Sequence, residues 1–378
     1  MKIALVRSRY NAFGGAERFV ANALAALRTQ QDIQLTIVTR SWQKQPGVDA
    51  LIVNPFYCGN VWRDWGFARA ACRAFEDHPF DLVQSHERLA CCDVYRAGDG
   101  VHDEWLQQRR RSKGFWGRLS IRLNPYHRYM LQAEKALFTS NQLKAVICNS
   151  KMVKEEIQAR FDLPESKLHV IYSGVDHEQF SPALRESHRQ NFRDRYRIPA
   201  HVPVYLFVGS GFERKGVAPF LQALNRLPTD CHGVVVGADK RQAWYENYAD
   251  KLGIATRVRF TGGLNDVKPA YGAADVFVLP TLYDPFPNAA LEAMASGLPI
   301  VTSTKSGAAE LIQNGVNGYF CDALDIDTLV QAMAALQTKE ARNIMGDEAR
   351  QTVLPFTFDA MSAQLITLYQ RLLNATAF

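Results

Sequence analysis

Short apolar runs alternate with amphipathic stretches of helical period along almost the whole chain, the pattern expected of strands buried on both faces between layers of helices. Ile3–Val6 (IALV) leads into a glycine loop and an amphipathic segment from about Ala16 to Leu27, which predicts a strand, a loop and a helix. LTIV (Leu35–Val38), DLVQS (Asp81–Ser85) and AVICNS (Ala145–Ser150) read as further strands with helical segments between them. After HVIYSGVD (His169–Asp176) comes a polar, charged stretch from Glu178 to Arg197, and then a second series opens with VYLFVGSG (Val204–Gly211). It continues through GVVVG (Gly233–Gly237), VRFTGG (Val258–Gly263), DVFVLP (Asp275–Pro280) and LPIVTS (Leu298–Ser303). Alternation of this kind predicts parallel α/β architecture. Two doubly wound domains are therefore expected, one over 1–170 and one over 171–355, with no internal sequence period. Open parallel sheets collect ligands beyond the carboxyl ends of their strands, so a ligand is expected between two such domains.

Composition narrows the class. The 378 residues suit two domains of ordinary size, and 47% hydrophobic with 22% charged residues excludes a disordered or fibrous chain. Seven cysteines, an odd number without a C-x-x-C pair, read as reduced thiols. The apolar run at the start is too short for a signal segment, and no run approaches the ~18 apolar residues of a membrane span, so a cytoplasmic location is expected. A formal charge of +6 points to an anionic partner.

The chemistry concentrates in TLYDPFPNAALEAMASGLPIVTS (Thr281–Ser303). Asn288 reads as the N-cap of a short helix that Gly297 ends, and the amides near Ala289 and Ala290 would then favour a phosphate. Glu292 sits about one turn inside and Asp284 on the preceding loop. A second motif, FVGSGFERKGV (Phe207–Val217), places Arg214 and Lys215 after a glycine loop, where they read as diphosphate ligands. FGGAERFV (Phe13–Val20) brings Gly14 and Gly15 to the first strand–helix turn, where backbone can approach a ligand closely. Asp99 and His102 lie in DVYRAGDGVHDEW (Asp93–Trp105) as polar candidates from the first domain. DID (Asp325–Asp327) formally matches a metal-binding D-x-D, but it precedes a helical run and reads as a cap; no metal is expected.

Asp284, seven residues, Glu292 and then AMASGLPIV resemble the signature of retaining glycosyltransferase family four, and FGGAER, SGVDHEQFSP, GSGFERKG, VRFTGG and GAAELIQNGVNGYF extend the likeness over nearly the whole chain. The resemblance implies a GT-B fold, two Rossmann-like domains facing across a cleft, with a final helix at about 356–378 returning to the first domain. It implies that Glu292 holds the ribose, that Asp284 contacts the donor sugar, and that Phe286, Asn288 and Ala289 line the donor beside Gly14 and Gly15. The family usually has glutamate where Asp284 stands, and often arginine where Ser210 stands; Arg214 is expected to take over that cation's role. A histidine near the donor sugar in several members makes His102 a candidate for that place.

FERKGV, DVYRAGD and a basic segment look most like the lipopolysaccharide core glucosyltransferases that add glucose to inner-core heptose. That likeness implies UDP-glucose as donor and a glycolipid acceptor, with retention of configuration and no cofactor. The basic segment, Trp105–Met130, holds seven cations and no acidic residue, with Trp105, Phe115, Trp116, Leu119, Ile121 and Tyr129 interleaved. It predicts peripheral attachment to an anionic membrane surface; no nucleic-acid motif accompanies it. A transferase with another donor or acceptor, a sugar-nucleotide epimerase on the same fold, or a non-enzymatic binding protein are the alternatives.

Overall fold

The computed structural model describes residues 2–9, 34–42 and 49–374, and the chain divides into two compact units: Met1–Ser173 with Phe358–Phe378, and Gly174–Thr357. Gly14, Gly15 and the predicted helix Ala16–Leu27 lie outside the described residues.

Among the described residues the first unit carries seven parallel strands: β1 (Lys2–Val6), β2 (Gln34–Thr39), β3 (Asp49–Ile52), β4 (Leu82–Ser85), β5 (Val94–Arg96), β6 (Ala145–Cys148) and β7 (Leu168–Val170), in the order β3-β2-β1-β4-β5-β6-β7. Helices α1 (Gly59–Asp77), α2 (His102–Arg111), α3 (Phe115–Leu123), α4 (Pro125–Phe138) and α5 (Lys151–Phe161) connect them. One face of the sheet buries Val6, Val38, Val83 and Val146 with Phe67, Leu137 and Ile157. The other buries Ile3, Leu82, Val94 and Ile147 against Met361, Leu365 and Tyr369 of the C-terminal helix Phe358–Asn374. Tyr369 Oη also donates to Gln84 Oε1 inside that layer.

The second unit repeats the architecture with six parallel strands: β8 (Val204–Val208), β9 (His232–Val236), β10 (Val258–Gly262), β11 (Val276–Leu279), β12 (Ile300–Ser303) and β13 (Gly318–Cys321), ordered β10-β9-β8-β11-β12-β13. Its helices include α6 (Ala183–Arg195), α7 (Phe212–Lys215), α8 (Val217–Asn225), α9 (Gln242–Lys251), α10 (Lys268–Ala273) and α11 (Asn288–Ala295). Leu206, Val234, Val235, Phe277, Val278, Ile300 and Val301 are all fully buried, as strands covered on both faces must be. In each unit the strand order reverses beside the first strand, between β1 and β4 and between β8 and β11, which opens a crevice at the carboxyl ends there.

One expectation is corrected. The cysteines are not all thiols: Cys72 on α1 and Cys91 after β4 form a disulfide, a pair nineteen residues apart that no short spacing announces. The polar stretch from Glu178 to Arg197 contains α6. Arg185, Arg189 and Arg193 on its inner face converge on Asp275, at 2.8, 3.1 and 2.7 Å. Burial alone would raise the Asp275 carboxyl, but the three guanidiniums hold it below its ordinary value.

Candidate functional site

The switch point of the second unit gathers the predicted donor residues. Beyond β8 the chain turns through Gly209–Gly211 into α7, a single turn that ends on Arg214 and Lys215. Gly216, at φ +85°, breaks the helix direction and starts α8; a Cβ there would sit 1.8 Å from the Pro280 carbonyl oxygen, so only glycine lets this turn lie against the β11 loop. The two cations thus close a separate turn ahead of α8, after the glycine loop as the sequence suggested. The loops are sewn together by the Leu282 amide and the Thr281 hydroxyl, both donating to the Arg214 carbonyl at 2.8 and 2.9 Å.

Asp284 follows on the β11 loop and is 5% exposed, low enough that its charge requires a partner. Lys215 Nζ forms an ion pair with Asp284 Oδ2. Arg214 Nη1 stands 3.9 Å from Asp284 Oδ1 and donates to the Tyr283 carbonyl at 3.2 Å. Burial pulls the Lys215 ammonium down from its ordinary value while Asp284 opposes that pull. The backbone fixes Asp284 from both sides, its amide donating to the Lys305 carbonyl and its own carbonyl accepting from the Gly307 amide, each at 2.9 Å.

Next comes α11. Asn288 is not its N-cap: Pro287 occupies that position without a side-chain hydrogen bond, and Asn288 is the first helical residue. The Ala290 amide is also taken, donating to the Pro287 carbonyl at 3.0 Å. The amides of Asn288 and Ala289 donate to no described residue, so the helix keeps donors for an anion one position earlier than predicted. The helix ends as expected: Gly297 at φ +73° directs its amide to Met294 and the Leu298 amide to Ala293, both satisfying terminal carbonyls. Glu292 is buried at 7% exposure and its Oε2 accepts from the Tyr271 hydroxyl at 2.8 Å. Phe286 is buried in the loop between Asp284 and the helix.

Two participants escaped the sequence reading. Tyr271, on α10, orients Glu292, and nothing in a lone tyrosine seventeen residues before Asn288 signals that. Ser306 pairs with Asp284 in an isolated parallel bridge, and its buried Oγ has no hydrogen-bond partner among the described residues. Asp325 behaves as predicted, its side chain accepting from the Thr328 amide as an N-cap.

Asp99 and His102 belong to the first unit. His102 begins α2; its Nε2 lies 3.1 Å from His127 Nδ1 and its amide donates to Glu134 Oε1 at 2.7 Å. Burial, the Arg88 charge and the neighbouring His127 push its pKa down to about 3, outweighing Asp99. Asp99 is exposed. Within the basic segment, Phe115 and Trp116 are 73% and 78% exposed and Leu123 65%, whereas Ile121 is buried; these three apolar side chains face out beside the arginines. No helix among the described residues is long and apolar enough to cross a membrane.

Two family models together match most of the chain. Residues 188–352 match the family of glycosyl transferases group 1, and residues 13–179 match Glycosyltransferase Family 4. The chain is 29% identical over 323 residues to the lipopolysaccharide glucosyltransferase WaaG of Escherichia coli K12, covering 82% of this chain and 83% of that protein. It is 30% identical to an uncharacterised glycosyltransferase of Methanocaldococcus jannaschii, covering 60% of this chain but only 59% of that protein's length. Its structure superposes on crystalline WaaG with a TM-score of 0.83 at 23% identity, over 96% of this chain and 98% of WaaG. It also superposes on Anabaena HepE in complex with UDP-glucose, with a TM-score of 0.73 at 18% identity, over 98% of this chain and 100% of HepE. Two Rossmann-like units of this kind constitute the GT-B fold.

Proposed function

Since the chain belongs to glycosyltransferase family 4, we propose that it moves glucose from UDP-glucose, with retention and without a metal, to an inner-core heptose of lipopolysaccharide or a similar glycolipid. The supporting observation is the set Arg214, Lys215, Asp284 and the unpartnered amides of Asn288 and Ala289 at one switch point. WaaG, similar over most of both chains, is a lipopolysaccharide glucosyltransferase, and HepE binds UDP-glucose, which is why this donor and acceptor are proposed.

In the proposed reaction the diphosphate rests on Arg214, Lys215 and the start of α11, while Glu292 accepts the ribose hydroxyls and Asp284 a hydroxyl of the sugar. The bond between the anomeric carbon and the β-phosphate oxygen breaks, and its electron pair leaves with UDP. Fixed positive groups stabilise that charge where a metal would otherwise do so. The acceptor hydroxyl attacks the same face of the sugar and gives its proton to the departing phosphate. His102, neutral near pH 7, is suited to hydrogen-bond a sugar hydroxyl. Peripheral binding at the inner face of the cytoplasmic membrane through residues 105–130 would bring the enzyme to a lipid-borne acceptor.

The test is a thermal-shift panel of UDP-, GDP- and ADP-sugars, followed by product analysis with the best donor. A shift confined to UDP-sugars and an α-linked product from an α-linked donor are expected. A preference for another nucleotide would refute the donor assignment, inversion would refute the retaining course, and an isomerised donor formed without acceptor would favour an epimerase.

A further inference from the structure

The switch point of the first unit, between β1 and β4, opens into a cavity of about 250 Å³. Arg7 and Ser8 follow β1, Glu87 and Arg88 follow β4, and all four line it. Sites that enclose larger ligands span roughly 300–1,000 Å³, so this one suits a single sugar ring better than a nucleotide.

Arg88 gives the cavity its chemistry. Its side chain is 9% exposed, and Nε and Nη2 are both held by Glu134 Oε1, at 3.1 and 2.9 Å. Glu134 is itself 1% exposed and also takes the His102 amide, so the guanidinium is clamped in one orientation by a carboxylate that cannot swing away. Nη2 also reaches the Gly100 carbonyl at 3.5 Å, and Nη1 alone has no partner among the described residues. A buried cation held in advance, with its Nη1 donors left over, is the arrangement that recognises an oxyanion at little ordering cost.

The carboxylates nearby do not cancel that preference, because two of the three are occupied. Glu87 Oε1 accepts from the Ser8 amide and hydroxyl at 2.9 and 2.8 Å and faces Arg7 at 3.6 Å. Asp64 accepts from Arg63 at 2.6 and 3.0 Å and from the Tyr126 hydroxyl at 3.0 Å. Asp99 lines the same cavity and accepts no hydrogen bond from a described residue. Ionised, it accepts hydrogen bonds only, which suits a sugar hydroxyl and repels an anion. A ligand matching both groups carries an oxyanion toward Arg88 and a hydroxyl toward Asp99.

We propose that this cavity is the acceptor site and that it selects a sugar bearing a phosphate or carboxylate, with Arg88 on the oxyanion and Asp99 on a ring hydroxyl. The acceptor role rests on the transferase reading above; the selectivity for an anionic sugar rests on the cavity alone.

The probes are glucose 6-phosphate, glucuronate, methyl glucoside and inorganic phosphate, each titrated by NMR into the full chain without nucleotide. At least one of the two anionic sugars should bind tenfold tighter than methyl glucoside and tighter than inorganic phosphate, and whichever of them binds better identifies the oxyanion as phosphate or carboxylate. Arg88→Lys should remove the advantage over methyl glucoside. Because that change touches a buried pair, Asp99→Ala at the exposed rim is a second probe; it should weaken the sugar anion at least threefold and leave inorganic phosphate unchanged. Equal binding of methyl glucoside, no binding of either anionic sugar at millimolar concentration, or an advantage that survives in Arg88→Lys would overturn the assignment. UDP titrated separately keeps the two readings apart. A chain that binds the sugar anion but not UDP loses the transferase reading and retains an anionic-sugar cavity.

Discussion

Replacing Lys215 by alanine removes the cation that both neutralises Asp284 and, on the proposed mechanism, meets the leaving diphosphate. Turnover of UDP-glucose should fall at least ~100-fold, about 2.7 kcal/mol of barrier, in protein whose circular dichroism remains native. Glu292→Ala should do the same, with much of the loss expressed in KM if the carboxylate binds ribose in ground and transition states alike. Steady-state kinetics decides, and wild-type values in either variant would remove that residue from the site. His102 gives a prediction about pH. Its folded pKa of about 3 lies below the ordinary 6.5, so between those values the unfolded chain binds a proton that the folded chain refuses. Its contribution is therefore complete above pH 6.5 and shrinks as pH falls toward 3. Urea melts of the wild type and His102→Asn should diverge over that interval and run parallel above it; parallel curves throughout would mean that His102 titrates normally. Asp284 and Glu292 were legible in the sequence because their spacing and the glycine that ends α11 form one local pattern. Tyr271 and Ser306 were not, since both reach the site through tertiary contact.

At the scale of elements, the strands were the most readable features, because a strand buried on both faces must be a short continuous apolar run. β3 and β13 escaped: DALI at Asp49–Ile52 is only partly buried at the sheet edge, and GYFC at Gly318–Cys321 is short and mixed. The cap of α11 was misplaced by one residue, as helix starts are when proline and asparagine compete for the first position. The Cys72–Cys91 bond joins α1 to the segment after β4, and it carries a stability prediction. Closing a loop of that length constrains the unfolded chain by about 3 kcal/mol. Reductant should lower the melting temperature of the wild type, and Cys72→Ser should show the lowered value with or without reductant. If reductant leaves the wild type unchanged while mass spectrometry shows the bond opened, the staple contributes no stability.

For the whole molecule, charge and exposed aromatics bear on where the enzyme works. Phe115, Trp116 and Leu123 project among the arginines of 105–130, so the chain should sediment with vesicles rich in phosphatidylglycerol and much less with neutral ones. Salt should release it, and Phe115→Ala with Trp116→Ala should weaken binding several-fold; equal binding to neutral vesicles would refute an electrostatic attachment. The sequence by itself determined two α/β domains, most of the strand positions in each, and the two segments that carry Arg214 with Lys215 and Asp284 with Glu292. It could do so because apolar period and loop chemistry are local, set by residues a few positions apart. Only the tertiary structure decided which distant side chains meet: Arg88 clamped by Glu134, Asp275 shared by three arginines of α6, Cys72 joined to Cys91, and Tyr271 set on Glu292. Those meetings depend on how strands order themselves in a sheet and how helices lie across it, and no spacing along one chain encodes that order directly.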